Sequence, residues 1–147
     1  MRRYSVSGGQ TSAASKTSVA IYSTAALRPF IYDVLSSFTG TPADNSAEYQ
    51  AKRCTTTGTS TAFTPLALDP GDPAATATAG VAHTTEPTYT ASSQLLDWDQ
   101  NVRATFRWIA APDSELYMPA STNGIGFQCI GIGGSGQANV ITALYRE

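Results

Sequence analysis

Residues 101–111 read NVRATFRWIAA and alternate strictly. Val102, Ala104, Phe106 and Trp108 would point one way, and Arg103, Thr105 and Arg107 the other. A period of two is the mark of a β-strand with one buried and one wet face. The stretch follows an Asp-Gln-Asn turn signal and stops before Ala-Pro-Asp. It is expected to be a central strand of an all-β domain, with its apolar face in the core.

Other segments carry the same signature. Residues 17–24, TSVAIYST, form a first strand and residues 28–39, RPFIYDVLSSFT, a second. In the latter, Phe30, Tyr32, Val34 and Phe38 share one face, and Ile31, Asp33 and Leu35 the other. Two semi-apolar faces predict a strand covered on both sides, by the core and by something else. Residues 47–57, 62–68, 94–99 and 115–118 read as further strands, with a polar turn at 58–61. Residues 125–132 and 137–145 are expected to form a terminal hairpin over Gly133-Gly134-Ser135-Gly136, with Ala138, Val140, Thr142 and Leu144 on one face. Roughly eight strands without a convincing helix or an internal repeat suit an antiparallel β sandwich, jelly-roll-like, rather than an α/β fold.

Two segments lack apolar periodicity. Residues 1–16 read as an extended N-terminal arm: Tyr4 and Val6 alternate with Ser5 and Ser7, then Gly8-Gly9 breaks the pattern. Asp69-Pro70-Gly71-Asp72-Pro73 is a strong turn signal, and the Pro-punctuated stretch after it, to residue 90, is expected to be a long irregular excursion. The domain proper would then span residues 17–147. Arm and excursion are the expected partner contacts, through Arg2, Arg3 and Tyr4 in one and Asp69, Asp72 and His83 in the other. Arginine and tyrosine are enriched at binding hot spots.

Composition narrows the function classes. Only 14% of residues are charged, against about 25% in ordinary globular domains. With a net charge of -2, such a surface suits a subunit covered by neighbours. Neither a basic nor an acidic excess points to nucleic acid. No apolar run of about 18 residues marks a membrane span. Met1-Arg2-Arg3 is not followed by an apolar segment, so the chain is expected to stay where it is made or to leave with a particle. Cys54 and Cys129 have no C-x-x-C partner and are expected to be free, half-buried thiols.

No catalytic constellation emerges. Residues 131–136 match G-x-G-x-x-G, but residues 137–145 read as strand rather than the helix a dinucleotide site needs. Asp97-Trp98-Asp99-Gln100-Asn101 opens like a calcium loop, yet Val102 and Trp108 stand where Gly and Glu are required; an Asx turn is expected instead. The single histidine, His83, is expected to face solvent or an interface. No pair of carboxylates stands out as a glycosidase pair. Trp108 reads as core and Trp98 as the exposed aromatic; with Tyr89 and Asp97 it could serve a carbohydrate-binding sandwich. Arg103 and Arg107 form a basic stripe that could grip an acidic neighbour or a sulfated glycan, or pair with Asp97 or Asp99. No cofactor is implied.

The Tyr-Ser-Val-Ser opening at residues 4–7, the CTTTGTSTAFTPLALDPGDPAA segment at 54–75 and the Gly-rich end resemble the small virion proteins of tailed phages. In particular the chain is similar to capsid decoration, or cement, proteins. That resemblance implies a β-rich, often jelly-roll-like homotrimer without catalytic residues, made in the host cytoplasm and carried on the capsid surface. It would clamp the major capsid protein against the pressure of packaged DNA. A phage tail or head-fibre module shares much of this composition and is the neighbouring expectation.

Overall fold

The computed structural model describes residues 1–121 and 123–147. In chain order the strands are β1 (Arg3–Gly8), β2 (Thr17–Tyr22), β3 (Phe30–Thr39), β4 (Ser46–Cys54), β5 (Thr59–Phe63) and β6 (Leu66–Ala67). They continue as β7 (Thr78–Thr85), β8 (Tyr89–Asn101), β9 (Phe106–Ile109), β10 (Leu116–Tyr117), β11 (Gly124–Ile132) and β12 (Ala138–Arg146). No helix occurs among the described residues. The first sheet runs β10-β3-β12-β1-β6, with β9 beside β10 on the same edge of β3; the second runs β5-β7-β2-β11-β4-β8. Every ladder is antiparallel.

The pairing is nested. β1 pairs with β12, β2 with β11, β3 with β9 and β10, and β4 with β8. A long antiparallel ribbon folded in this order and rolled up gives two facing sheets, which is the jelly-roll topology. Residues 55–88 are an insertion into the β4–β8 ladder, whose flanking residues Cys54 and Tyr89 face each other. The insertion adds β6 beside β1, β7 beside β2, and β5 beside β7. The core between the sheets holds Tyr4, Val6, Val19, Ile21, Ile31, Tyr49, Phe127, Ile141 and Tyr145, all fully buried.

Five expectations from the sequence need correction. Residues 101–111 are not a central strand. Asn101 Oδ1 accepts the Arg103 N–H at 2.9 Å, and Ala104 N–H donates to the Asn101 carbonyl at 2.8 Å. This Asx turn wins over the ladder, as short polar side chains that bond nearby backbone do. The strand resumes as the four-residue edge β9. Phe106 and Trp108 still face inward and Arg107 outward, but both aromatics are only half-buried and Ala104 is exposed. Trp98, expected outside, is instead buried, stacked between Tyr49 at 5.8 Å and Phe106 at 4.7 Å.

Residues 1–16 are not a free arm. β1 lies between β12 and β6, with Tyr4 and Val6 in the core. Gly9 does not break the strand for want of order; a side chain there would collide with the backbone of Asn139. Nor is the stretch after residue 73 irregular: β7 pairs with both β2 and β5. Finally, β11 and β12 form no hairpin. They belong to different sheets, and the Gly-rich residues 133–136 carry the chain from one to the other. Asn139, Ile141, Ala143 and Tyr145 face the core, and Val140, Thr142 and Leu144 face out.

In β3 the two faces differ from simple alternation. The ladder to β12 shifts register so that Leu144 faces Asp33 and Tyr145 faces Ile31. The bulge at Tyr32 turns Tyr32 and Asp33 to the same side.

Tyr4 therefore carries core weight. Tyr4→Ala is expected to lower stability by about 3 to 5 kcal/mol, the usual range for a large buried aromatic, and removal of residues 1–8 to prevent folding. Urea unfolding followed by tryptophan fluorescence measures both. A loss below about 1 kcal/mol for Tyr4→Ala would mean that β1 contributes nothing to the core.

Candidate functional site

The residues singled out from the sequence do not converge on one place. Arg2 exchanges backbone hydrogen bonds with Glu147, both at 3.1 Å. Tyr4 is in the core, and its hydroxyl donates to the Pro73 carbonyl at 3.0 Å. Asp69 shapes its own turn, accepting the Gly71 N–H at 2.9 Å, with Asp72 N–H bonded to the Asp69 carbonyl. Arg103 sits in the turn before β9 and donates to the Pro42 carbonyl at 3.3 Å. Arg107 forks onto Asp33, at 3.1 and 2.7 Å, rather than onto Asp97 or Asp99. Only Arg3 and Arg107 share a surface, the outer face of the first sheet.

His83 is not exposed; it lies in the inserted strand β7, 1% accessible, on the outer side of the second sheet. Its Nδ1 lies 3.2 Å from the Thr17 carbonyl and its Nε2 2.9 Å from the Tyr22 hydroxyl, which in turn donates to the Thr57 carbonyl at 2.8 Å. A neutral imidazole and a phenol bring two protons to these three contacts. Around them pack Ala20, Cys54 and Tyr89, a small second core. Tyr89 OH bonds Thr17 Oγ1 at 2.7 Å, and its ring lies 4.7 Å from Lys52 Nζ. Glu86 accepts the Thr17 N–H at 2.8 Å and faces Lys16 at 3.6 Å.

Burial sets the electrostatics of this layer. It pushes the Tyr22 and Tyr89 phenols well above their usual range and the Cys54 thiol up to about 12. It holds His83 below the usual histidine value, against the opposing pull of the Glu86 carboxylate and the Thr17 carbonyl. The neutral imidazole is therefore the folded form. Its contribution to stability is complete above the unfolded value of about 6.5 and is lost as pH falls through the lower folded value. Thermal unfolding measured between about pH 7 and about pH 5 is expected to show a fall in Tm that His83→Gln flattens; an unchanged slope in the variant would remove His83 from the acid response.

Both cysteines are free and buried. The Cys129 thiol is likewise raised by burial, so neither offers a thiolate at neutral pH. A thiol reagent is expected to label two cysteines in the unfolded, unreduced protein and to react slowly with the native one. Fast native labelling would contradict the burial.

The glycan arrangement does not assemble. Trp98 points inward, whereas Tyr89 and Asp97 lie on the outer side of the second sheet, with Asp97 accepting Gln50 Nε2 at 2.8 Å. Among the described residues there is no cleft of ligand size and no group of three or more His, Cys, Asp or Glu side chains that could hold a metal.

What remains is a surface. Across the first sheet, Leu66, Ser5, Leu144, Asp33 and Ile109 stand in register and face outward. Beside them run Ser7, Thr142, Leu35 and Arg107, and on the other flank Arg3, Arg146, Phe30 and Tyr117. Leu68 joins the last row through its N–H to the Arg3 carbonyl at 2.9 Å. All five strongly exposed large apolar residues, Met1, Leu66, Leu68, Ile109 and Tyr117, belong to this sheet or its immediate N-terminal extension. In the middle, the Arg107–Asp33 fork holds a carboxylate that is only 5% accessible. At one end the Arg146 guanidinium lies over Tyr32 at 4.8 Å and Phe30 at 5.9 Å, and Phe30 stacks on Tyr117 at 4.8 Å. Leu66, Leu68, Ile109, Tyr117 and Arg146 were not singled out from the sequence. The available signal was the semi-apolar character of both faces of residues 28–39, although the bulge at Tyr32 mixes them: Phe30, Tyr32, Asp33 and Leu35 lie in this surface, and Ile31 and Val34 in the core.

Compared with known protein families, with characterised proteins and with solved structures, the chain matches none.

Proposed function

We propose that the chain is a structural virion protein, a capsid decoration protein that binds the major capsid protein through the outer face of its first sheet. The observation that carries this reading is the gathering of the strongly exposed large apolar side chains on that one face. Contiguous exposed apolar surface on a folded chain marks an interaction site. The surrounding polar surface, rich in threonine and poor in charge, suits a subunit packed among others.

The architecture supports the same reading. Both ends of the chain are tied into the first sheet, and the insertion closes one side of the sandwich. A docking module under mechanical load gains from such closure, because β1 and β12 are each paired on both edges. The docking role thus moves from an N-terminal arm to a sheet face, and Arg3 contributes as part of that face.

The test is co-sedimentation with capsid shells stripped of their decoration protein. The wild-type chain is expected to pellet with shells. The double variant Leu66→Lys/Ile109→Lys, shown by its thermal unfolding to be folded, is expected to stay in the supernatant. Equal binding by the variant would take the docking role away from the face. A wild-type chain that binds no shell would sink the capsid reading.

A further inference from the structure

We propose that the Arg3–Arg146 corner of the first sheet is a carboxylate seat, and that this face takes a protein surface on which Asp or Glu side chains stand among apolar residues. The inference rests on the docking reading above and specifies the chemistry of the partner.

Arg3 and Arg146 are direct cross-strand neighbours in the β1–β12 ladder. Like charges in that relation are destabilising. Among the described residues the ion pairs are Lys16–Glu86 and Arg107–Asp33, so neither Arg3 nor Arg146 is in an ion pair. Arg146 is nonetheless held in place, over Tyr32 and Phe30 and with Nη1 3.8 Å from Met1 Sδ. A guanidinium already ordered on aromatic rings loses little freedom on binding and presents its fork to a carboxylate. Met1, Leu68 and Tyr117 surround this seat with exposed apolar surface.

The face is of limited size. The strands β1, β3, β6, β9, β10 and β12 together hold 33 residues, and at about 3.3 by 4.8 Å each the face covers about 500 Å², the scale of a small interface rather than of the roughly 800 Å² per partner of a standard one.

Charge decides between occupants. Arg3, Arg107 and Arg146 against Asp33 leave the face positive, on a chain whose net charge is -2. Two copies meeting face to face would set arginine against arginine. The acidic stripe on the second sheet, where Glu48 faces Asp99 across the β4–β8 ladder and Asp97 lies beside them, carries no strongly exposed large apolar residue to match Ile109 or Leu66. A phosphate polyanion would make no use of the exposed apolar residues of the face. An apolar protein surface bearing carboxylates satisfies both features.

The test uses the full chain, immobilised, to select from displayed random short peptides, with folded Arg146→Glu protein as soluble competitor. Selected peptides are expected to carry Asp or Glu among apolar residues. Their affinity should fall by about 30-fold or more on Arg146→Glu, the low end of what removing one partner of such a pair costs. Ile109→Lys should weaken them too, and exchanging the peptide's acid for Lys should restore binding to Arg146→Glu. Arg3→Glu, on an exposed residue, replaces Arg146→Glu if the latter does not fold. Selected peptides without acids, or binding indifferent to both arginines, would overturn the seat. So would single-stranded DNA competing where acidic peptides do not, or a wild-type oligomer that Ile109→Lys dissociates. Acidic peptides that bind while capsid shells do not would overturn the capsid reading and leave the seat standing. Shell binding untouched by both arginine reversals would do the opposite.

Discussion

The two ends of the chain lie side by side, and every other pairing is nested inside that one. β1 and β12 match from Arg3–Arg146 to Gly8–Ile141. Their inward residues include Tyr4 and Tyr145, whose rings stack at 5.5 Å. The same pair anchors the insertion: Tyr4 bonds the Pro73 carbonyl, and the Glu147 carboxylate accepts the Thr76 and Ala77 N–H groups at 2.8 to 3.1 Å. Closure entropy rises only with the logarithm of loop length, so joining the termini is little harder than joining nearer strands. Without β1, β12 would become an edge beside an unpaired β6, and the insertion would lose its hold.

Strand existence was legible where alternation is dense and local. Residues 17–22, 30–39 and 46–54 all fall within or beside segments read as strands from their pattern. Most of the errors share one cause, which is that partners lie far away in sequence. Tyr4 and Val6 alternate correctly, yet nothing local says that β12 covers one edge and β6 the other. The Gly-rich residues 133–136 have the local chemistry of a hairpin turn. Their strands instead join partners already placed, β2 and β4 for β11, and β1 and β3 for β12. At Asn101 the failure is of another kind, since one side-chain hydrogen bond ends a run that periodicity would continue.

Site residues were less legible, because exposure depends on which sheet a strand joins. His83 looked like a loop histidine, and the insertion buries it against Tyr22. Trp98, read as exposed, is buried, whereas Trp108, read as core, still packs against the core but is only half-buried. Arg107 was read correctly as outward, but its carboxylate partner, Asp33, comes from the neighbouring strand β3. Only the double apolar character of residues 28–39 announced in advance that the sandwich has a second surface to cover.

The two outer faces make the decisive comparison. Both carry apolar residues beyond what a solvated sheet needs. On the second sheet, Ala20, Tyr22 and Cys54 are covered by Tyr89 and the insertion, and the layer is sealed by hydrogen bonds to Thr17 and Thr57. On the first sheet, the short edge strand β6 extends the same apolar face without roofing it, and Leu66, Ile109 and Tyr117 remain bare. A chain that roofs one face with its own insertion has the means to roof the other. The open face also keeps two arginines side by side without a carboxylate, a local conflict of the kind proteins retain at functional sites. Bare apolar surface and unrelieved charge coincide at one end of one sheet, and a partner that supplies both a cover and an acid resolves them together.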